Sequence, residues 1–149
     1  MQDQIKINDA ITVGAQPTAE QLSGLKDSGF RSVLNLRADG EDDQPLSPHD
    51  EGEQAKQLGL EYENIPVTMK TMSPELVDRV RGQFGKLPTP IYVHCQKGKR
   101  AGAMAMMHTA CEAGKSGDET LAMAEQMGFE CNQPQLAEFV KSYVDNNRK

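Results

Sequence analysis

Strand-like and helix-like stretches alternate along residues 10–114, and no other feature of the sequence limits the fold so tightly. "AITVGAQ" (10–16) opens as a short strand. "PTAEQLSGLKDSG" follows with helical character: Thr18 and Gln21 have capping-box spacing, and Gly29 suits the left-handed position that ends a helix. "FRSVLNLR" (30–37) alternates and is rich in strand formers. The polar, acidic stretch 38–53 reads as a long loop leading into a short helix that ends near Gly59. "EYENIPV" (61–67) is a third strand. Ser73 and Pro74 fit the cap and first turn of a helix running to about Phe84, with Leu76, Val77, Val80 and Phe84 on one face. "PIYVH" (90–94) is a short buried strand bounded by prolines, and the Ala/Gly/Met segment beyond it is a helix ending at Gly114. Further helices are expected at about 118–127 and 134–146, the last with an apolar stripe of Leu136, Phe139, Val140, Tyr143 and Val144. Such alternation calls for an α/β architecture, a mostly parallel sheet with helices on both faces and the C-terminal helices packed on one side.

A length of 149 residues suits one domain, 1–149, with one core. Charged residues at 26% and hydrophobic residues at 37% separate the chain from disordered sequences. The net charge of −6 argues against a nucleic-acid partner. The most apolar run, 101–111, is too short to span a membrane. No secretory signal is visible at the start, so the expected compartment is the cytoplasm, or the periplasm if a leader has been removed. Cys95, Cys111 and Cys131 form an odd, sparse set that reads as reduced thiols rather than a disulfide framework. His108 and Cys111 have i, i+3 spacing, but on an apolar helix that pair reads as packing; no metal and no other cofactor is expected. Nothing in the pattern sets an oligomeric state.

The chemistry concentrates in "VHCQKGKRAG" (93–102), where a buried strand runs through a short loop into a helix. Backbone N–H groups of residues 96–100 can turn inward as a nest, and the helix N-terminus adds partial positive charge. Gly98 allows the chain to curl there. Arg100 supplies a planar fork for two oxygens, and Lys97 and Lys99 add local positive charge to an acidic chain. A thiol at Cys95 would sit at the focus of these donors, which favour its ionised, nucleophilic form. His94 is expected to support the loop rather than act as a base. Gln96 completes the segment that would hold an anion. Among neighbouring residues, Arg37 is expected to pair with a nearby carboxylate, while Gln16 and Pro17 shape the first turn.

His-Cys, a glycine three residues after the cysteine and a nearby arginine resemble the cysteine-dependent tyrosine and dual-specificity phosphatases. The chain is more similar still to a bacterial phosphatase-like domain of unknown function, also found as the phosphatase-like part of beta-lactamase-hydrolase-like proteins. The resemblance runs over most of residues 11–112 and rests on "GAQPTAEQL", "GFRSVLNLRADGE", "IPV" and "HCQKGKRAG" in that order. It implies a three-layer fold with a central, mostly parallel sheet of about four to five strands, helices on both faces, and the catalytic loop between the last parallel strand and a buried helix. It also implies hydrolysis of a phosphorylated substrate through a Cys95 thiophosphate, with residues 96–100 binding the oxyanion.

Three departures from that pattern matter. The main phosphatase families place the arginine six positions after the cysteine, whereas Arg100 is five after Cys95. That shorter loop looks like the rhodanese sulfurtransferases. Ala101 stands where those phosphatases usually carry a hydroxyl that steadies the departing thiolate. Finally, "TMKTM" (68–72) lacks the carboxylate that related enzymes use as a general acid, an absence that costs roughly 10²–10⁴ in rate. The remaining candidates are Asp39 and, as the alternative, Glu41; Asp42, Asp43 and Glu75 are also near in sequence. Two other functions share the loop: sulfur transfer or persulfide handling through Cys95, and a non-catalytic module that binds phosphorylated or other anionic ligands.

Overall fold

The computed structural model describes residues 4–128 and 134–149. The chain divides into two compact units, residues 1–101 and 102–149. The first holds a five-stranded sheet in the order β1-β2-β5-β3-β4, formed by β1 (Gln4–Lys6), β2 (Ile11–Gly14), β3 (Ser32–Asn35), β4 (Glu61–Asn64) and β5 (Ile91–His94). Strands β2, β5, β3 and β4 run parallel, and β1 pairs antiparallel with β2 at one edge. With six helices among the described residues this is the expected α/β class, mostly parallel. The edge strand β1 lies outside the strands read from the sequence.

The central strands β3 and β5 are buried at every position, so both faces of the sheet centre are covered. On one face, Leu22 and Leu25 of α1 (Ala19–Asp27), Ala55 of α2 (Pro48–Gln57) and Leu60 pack with Val33 and Tyr92. Helix starts follow local chemistry. Thr18 and Gln21 form the reciprocal capping box, and Gly29 takes φ +97° beyond the last turn. Ser73 caps α3 (Pro74–Lys86) by accepting from the Leu76 amide, and Val77, Val80 and Phe84 are its buried face while Leu76 is half-buried.

The register sets the functional edge. Gly14, His94 and Asn35 are level across β2, β5 and β3, and Asn35 is level with Asn64 on β4. All four parallel strands therefore end together. The segments leaving them converge at the carboxyl edge, where open α/β sheets build their sites.

The second unit contains most of α4 (Lys99–Glu112), then α5 (Gly117–Gln126) and α6 (Pro134–Asn147). Ser116 and Glu119 form a capping box on α5. Helix α5 meets α6 closely enough that a Cβ at Gly117 would lie 2.5 Å from the Lys141 carbonyl oxygen. The Gly117 amide donates to Asp145 Oδ1 at 2.7 Å. Leu136, Val140, Tyr143 and Val144 are the buried stripe of α6, and Phe139 stacks on Tyr143. Cys111, like Cys95, is a buried thiol, and Cys131 lies outside the described residues. Among the described residues no helix is long and apolar enough to cross a membrane.

Candidate active site

Cys95 follows β5 directly and is buried. Gly98 turns the loop back with φ +100°, a backbone region that glycine occupies without strain. That turn brings the Gly98 amide within 3.1 Å of Cys95 Sγ, to which it donates. A Cβ at position 98 would meet the Gly14 backbone at an ordinary 3.7 Å, so the backbone conformation, not space, is what calls for glycine. Gln96 is half-buried, and its carbonyl accepts from the Gln16 amide at 3.1 Å. Lys97 and Lys99 are exposed on either side of the buried Gly98. Helix α4 begins at Lys99, so its N-terminal turn closes the loop.

Arg100 reaches across this loop. Its two terminal nitrogens donate to Glu41 Oε1 and Oε2, each at 2.9 Å, and Nη1 also donates to the Val67 carbonyl at 2.9 Å. The guanidinium holds its proton more firmly than usual: the hydrogen bond to Glu41 contributes most, burial opposes it, and the charge of and hydrogen bond to Cys95 add to it together with the charge of Glu41. Arg100 therefore ties the end of the cysteine loop to the acidic loop and to the segment after β4.

For Glu41, burial alone would raise the carboxyl. Hydrogen bonds from Arg100, the Ala38 amide and Arg37, with the charge of Arg100, outweigh it and bring the group down to about 2. As placed here Glu41 is ionised at neutral pH and carries no proton to donate. Its contribution to stability is present above the ordinary carboxylate value of about 4.5 and is lost as pH falls from there toward about 2. With the side chain 19% exposed and partly screened, the expected loss is about 2 kcal/mol. Urea titrations across this window should show that slope in the native protein and a smaller one in Glu41→Gln.

An open circuit of side-chain hydrogen bonds runs from Glu41 to His94, next to the cysteine. Arg37, fully buried, donates from Nε to Glu41 Oε1 at 3.0 Å and from Nη1 to Gln16 Oε1 at 3.0 Å. It also donates to the carbonyls of Asp42 and Asp43, shaping the acidic loop. Gln16 Nε2 donates to Glu51 Oε1 at 2.7 Å. The second oxygen of Glu51 lies 2.7 Å from His94 Nε2, and His94 Nδ1 lies 3.3 Å from the Cys95 carbonyl oxygen. Strand ends hold this circuit in place: Asn64 Nδ2 donates to the carbonyls of Asn35 and Arg37, and Asn35 Oδ1 accepts from the Arg37 amide.

Arg37 pairs with a carboxylate, as its setting in the sequence suggests, and that carboxylate is Glu41. Gln16 does more than shape a turn, because it links Glu51 to Arg37. Asp39 is exposed on the acidic loop, and Glu75 is exposed in the first turn of α3. Thr68 and Thr71 hydrogen-bond each other in the 68–72 segment, next to the carbonyl that Arg100 grips. Sequence reasoning missed Glu51, one of several acidic residues at the start of a polar helix; its burial depends on a histidine 43 positions away. Among the described residues no group of three or more His, Cys, Asp or Glu side chains is placed to hold a metal ion.

Comparison with known proteins gives a consistent result. The beta-lactamase hydrolase-like protein of Xylella fastidiosa is 27% identical over 128 residues, covering 85% of this chain but only 29% of that protein. The chain thus spans less than a third of the length of that curated relative. A DUF442 structure from Shewanella putrefaciens superimposes with a TM-score of 0.80 at 22% identity, covering 98% of this chain and 93% of that one. Pseudomonas aeruginosa TpbA, solved in complex with phosphotyrosine, gives 0.76 at 18% identity, covering 98% and 88%. At these identities the two structures establish the phosphatase fold. The family described as "DSP-PTPase phosphatase fused to NAD+ Kinase" matches residues 2–142, almost the whole chain, and the protein with this cysteine loop belongs to that phosphatase family.

Proposed function

We propose that this domain hydrolyses phosphate monoesters through a covalent intermediate on Cys95. The observation that carries the reading is the hydrogen bond from the Gly98 amide to the buried Cys95 sulfur, on a loop that ends at the Arg100 guanidinium. Both groups can hold equatorial oxygens of a phosphoryl group in flight. In the first step Cys95 Sγ forms a bond to phosphorus as the ester P–O bond breaks. In the second, water attacks phosphorus and the thiolate departs, leaving inorganic phosphate. Ala101 offers that thiolate no hydroxyl.

The leaving oxygen must take up a proton or depart as an anion. Glu41 is engaged with Arg100 and Arg37, so we assign the acid to Asp39, which is exposed on the same loop, as Asp42 and Asp43 also are. Aryl phosphates need this help least, because a phenoxide is a far better leaving group than an alkoxide. Phosphotyrosine-like esters are therefore the substrate class we favour, and the phosphotyrosine complex of TpbA supports it. Gln96, Lys97, Gly98 and Lys99 would line the anion together with Arg100. A nucleophile that must stay a thiol suits a reducing compartment such as the cytoplasm.

Acid quenching during turnover of an aryl phosphate, followed by peptide mapping, tests the reading. The phosphoryl group is expected on the peptide containing Cys95. Anion binding with no turnover would replace this reading by that of a binding module. Accumulation of a Cys95 persulfide from thiosulfate, with no phosphate release, would replace it by sulfur transfer.

A further inference from the structure

The buried contact behind the nucleophile has its own logic. His94 and Glu51 have side chains with no solvent exposure, and their facing atoms are 2.7 Å apart. Each ring nitrogen of His94 faces an oxygen: Nε2 the Glu51 carboxyl, Nδ1 the Cys95 carbonyl. A carbonyl can only accept, so the Nδ1 position requires an N–H. A neutral imidazole has one N–H, and spending it on Cys95 would leave a bare Nε2 against a carboxylate. Meanwhile the other Glu51 oxygen accepts from Gln16, whose own oxygen accepts from the Arg37 guanidinium, and a relay polarised in this way favours a charged carboxylate at its end.

The groups around the pair fit this count. Tyr92, on the same strand, stacks its ring on His94 at 5.9 Å and sends its hydroxyl to the Ala15 carbonyl. Tyr62, from β4, donates no proton to the pair; its hydroxyl accepts from Asn35. Its own ionisation is pushed up, first by burial and then by the Glu51 charge. Arg37, beyond β3, reaches Glu51 only through Gln16. Cys95, on the loop itself, is a further titratable neighbour.

We infer that Glu51 is a positioning residue that keeps His94 doubly protonated, so that an imidazolium donates to the Cys95 carbonyl and its charge lies next to the nucleophilic sulfur. Glu51 touches neither the sulfur nor the anion site. It acts by supplying the counter-charge that allows a histidine cation to persist without water. A glutamine in its place still offers an acceptor but no charge. A ring with a single proton then satisfies the carboxamide or the Cys95 carbonyl, not both.

The test begins on the native protein, with no variant needed. Nitrogen-15 NMR should place both His94 ring nitrogens in the protonated range at neutral pH; a ring protonated on one nitrogen alone overturns the inference. In Glu51→Gln, one nitrogen should lose its proton near neutrality, and the midpoint for alkylation of Cys95 by iodoacetamide should rise by about one pH unit, a tenfold change in the thiolate-to-thiol ratio. Glu51→Asp, which keeps the charge, should restore most of that shift. A folded Glu51→Gln protein with an unchanged alkylation profile sinks the proposal. The role in turnover rests on the phosphatase reading: kcat for an aryl phosphate is expected to fall about 10- to 100-fold with KM nearly constant, the size seen for carboxylates that orient a histidine beside a reactive centre. The NMR and alkylation measurements need no phosphatase activity, so a failure of the phosphatase reading is distinguishable from a failure of this inference.

Discussion

Cys95→Ser is expected to abolish hydrolysis of aryl phosphates, lowering kcat on the order of 10⁴-fold or more while leaving anion binding within a few-fold of native. The asymmetry follows from the construction of the loop. The substitution exchanges one buried sulfur for oxygen in nearly the same volume, so the Gly98 turn, the Arg100 bridge and the start of α4 keep their positions. Their donors still recognise an oxyanion. What is lost is a polarisable nucleophile that these donors can hold ionised, because an aliphatic hydroxyl stays protonated at neutral pH. Steady-state kinetics beside a phosphate or vanadate binding titration would separate the two effects. Unchanged turnover in the variant would remove Cys95 from the chemistry.

The second large effect is on stability. Arg37→Met is expected to cost roughly 3–5 kcal/mol, the range for removing one partner of a buried ion pair. Arg37 is wholly buried and bonds Glu41, Gln16 and the Asp42 and Asp43 carbonyls. Methionine fills most of the space but leaves those acceptors unsatisfied, and an unpaired buried acceptor costs more than the lost bond itself. Since Glu41 also holds Arg100, the substitution should loosen the Arg100 guanidinium as well as the acidic loop. Thermal unfolding should show a fall in Tm of roughly 10 °C. Hydrogen exchange should locate the earliest loss of protection in residues 38–44. A variant as stable as the native protein would show that the loop is held by other contacts.

What could be read from the sequence divides along the range of the interactions. Thr18 with Gln21, Ser73 with Pro74 and the glycines after α1 and α2 are local signals, complete within a few residues, and the helices start and stop where they indicate. The parallel strands β2, β3 and β5 were legible because their apolar content is concentrated in short runs. The strand β1 was not: "QIK" has no strand pattern of its own and is ordered by pairing with β2. The same rule holds at the site. The loop from Cys95 to Arg100 is contiguous and announces itself, and Arg37 with Glu41 is an i, i+4 pair. The carboxylate that Arg100 grips lies 59 positions away, and only the fold joins them. Glu41 was the alternative to Asp39 as proton donor because its loop leaves the carboxyl end of a strand; its two arginine partners hold it ionised.

The outer strand β4 has one more consequence. It ends the sheet, and along it Glu61 and Glu63 stand exposed between the half-buried Tyr62 and Asn64. A foreign strand adding alongside would bring its own backbone against two negative charges that could not be neutralised without loss of hydration. A border of that kind discourages copies of the chain from zipping together into fibrils, leaving the open rim of the sheet guarded by the polarity of its residues.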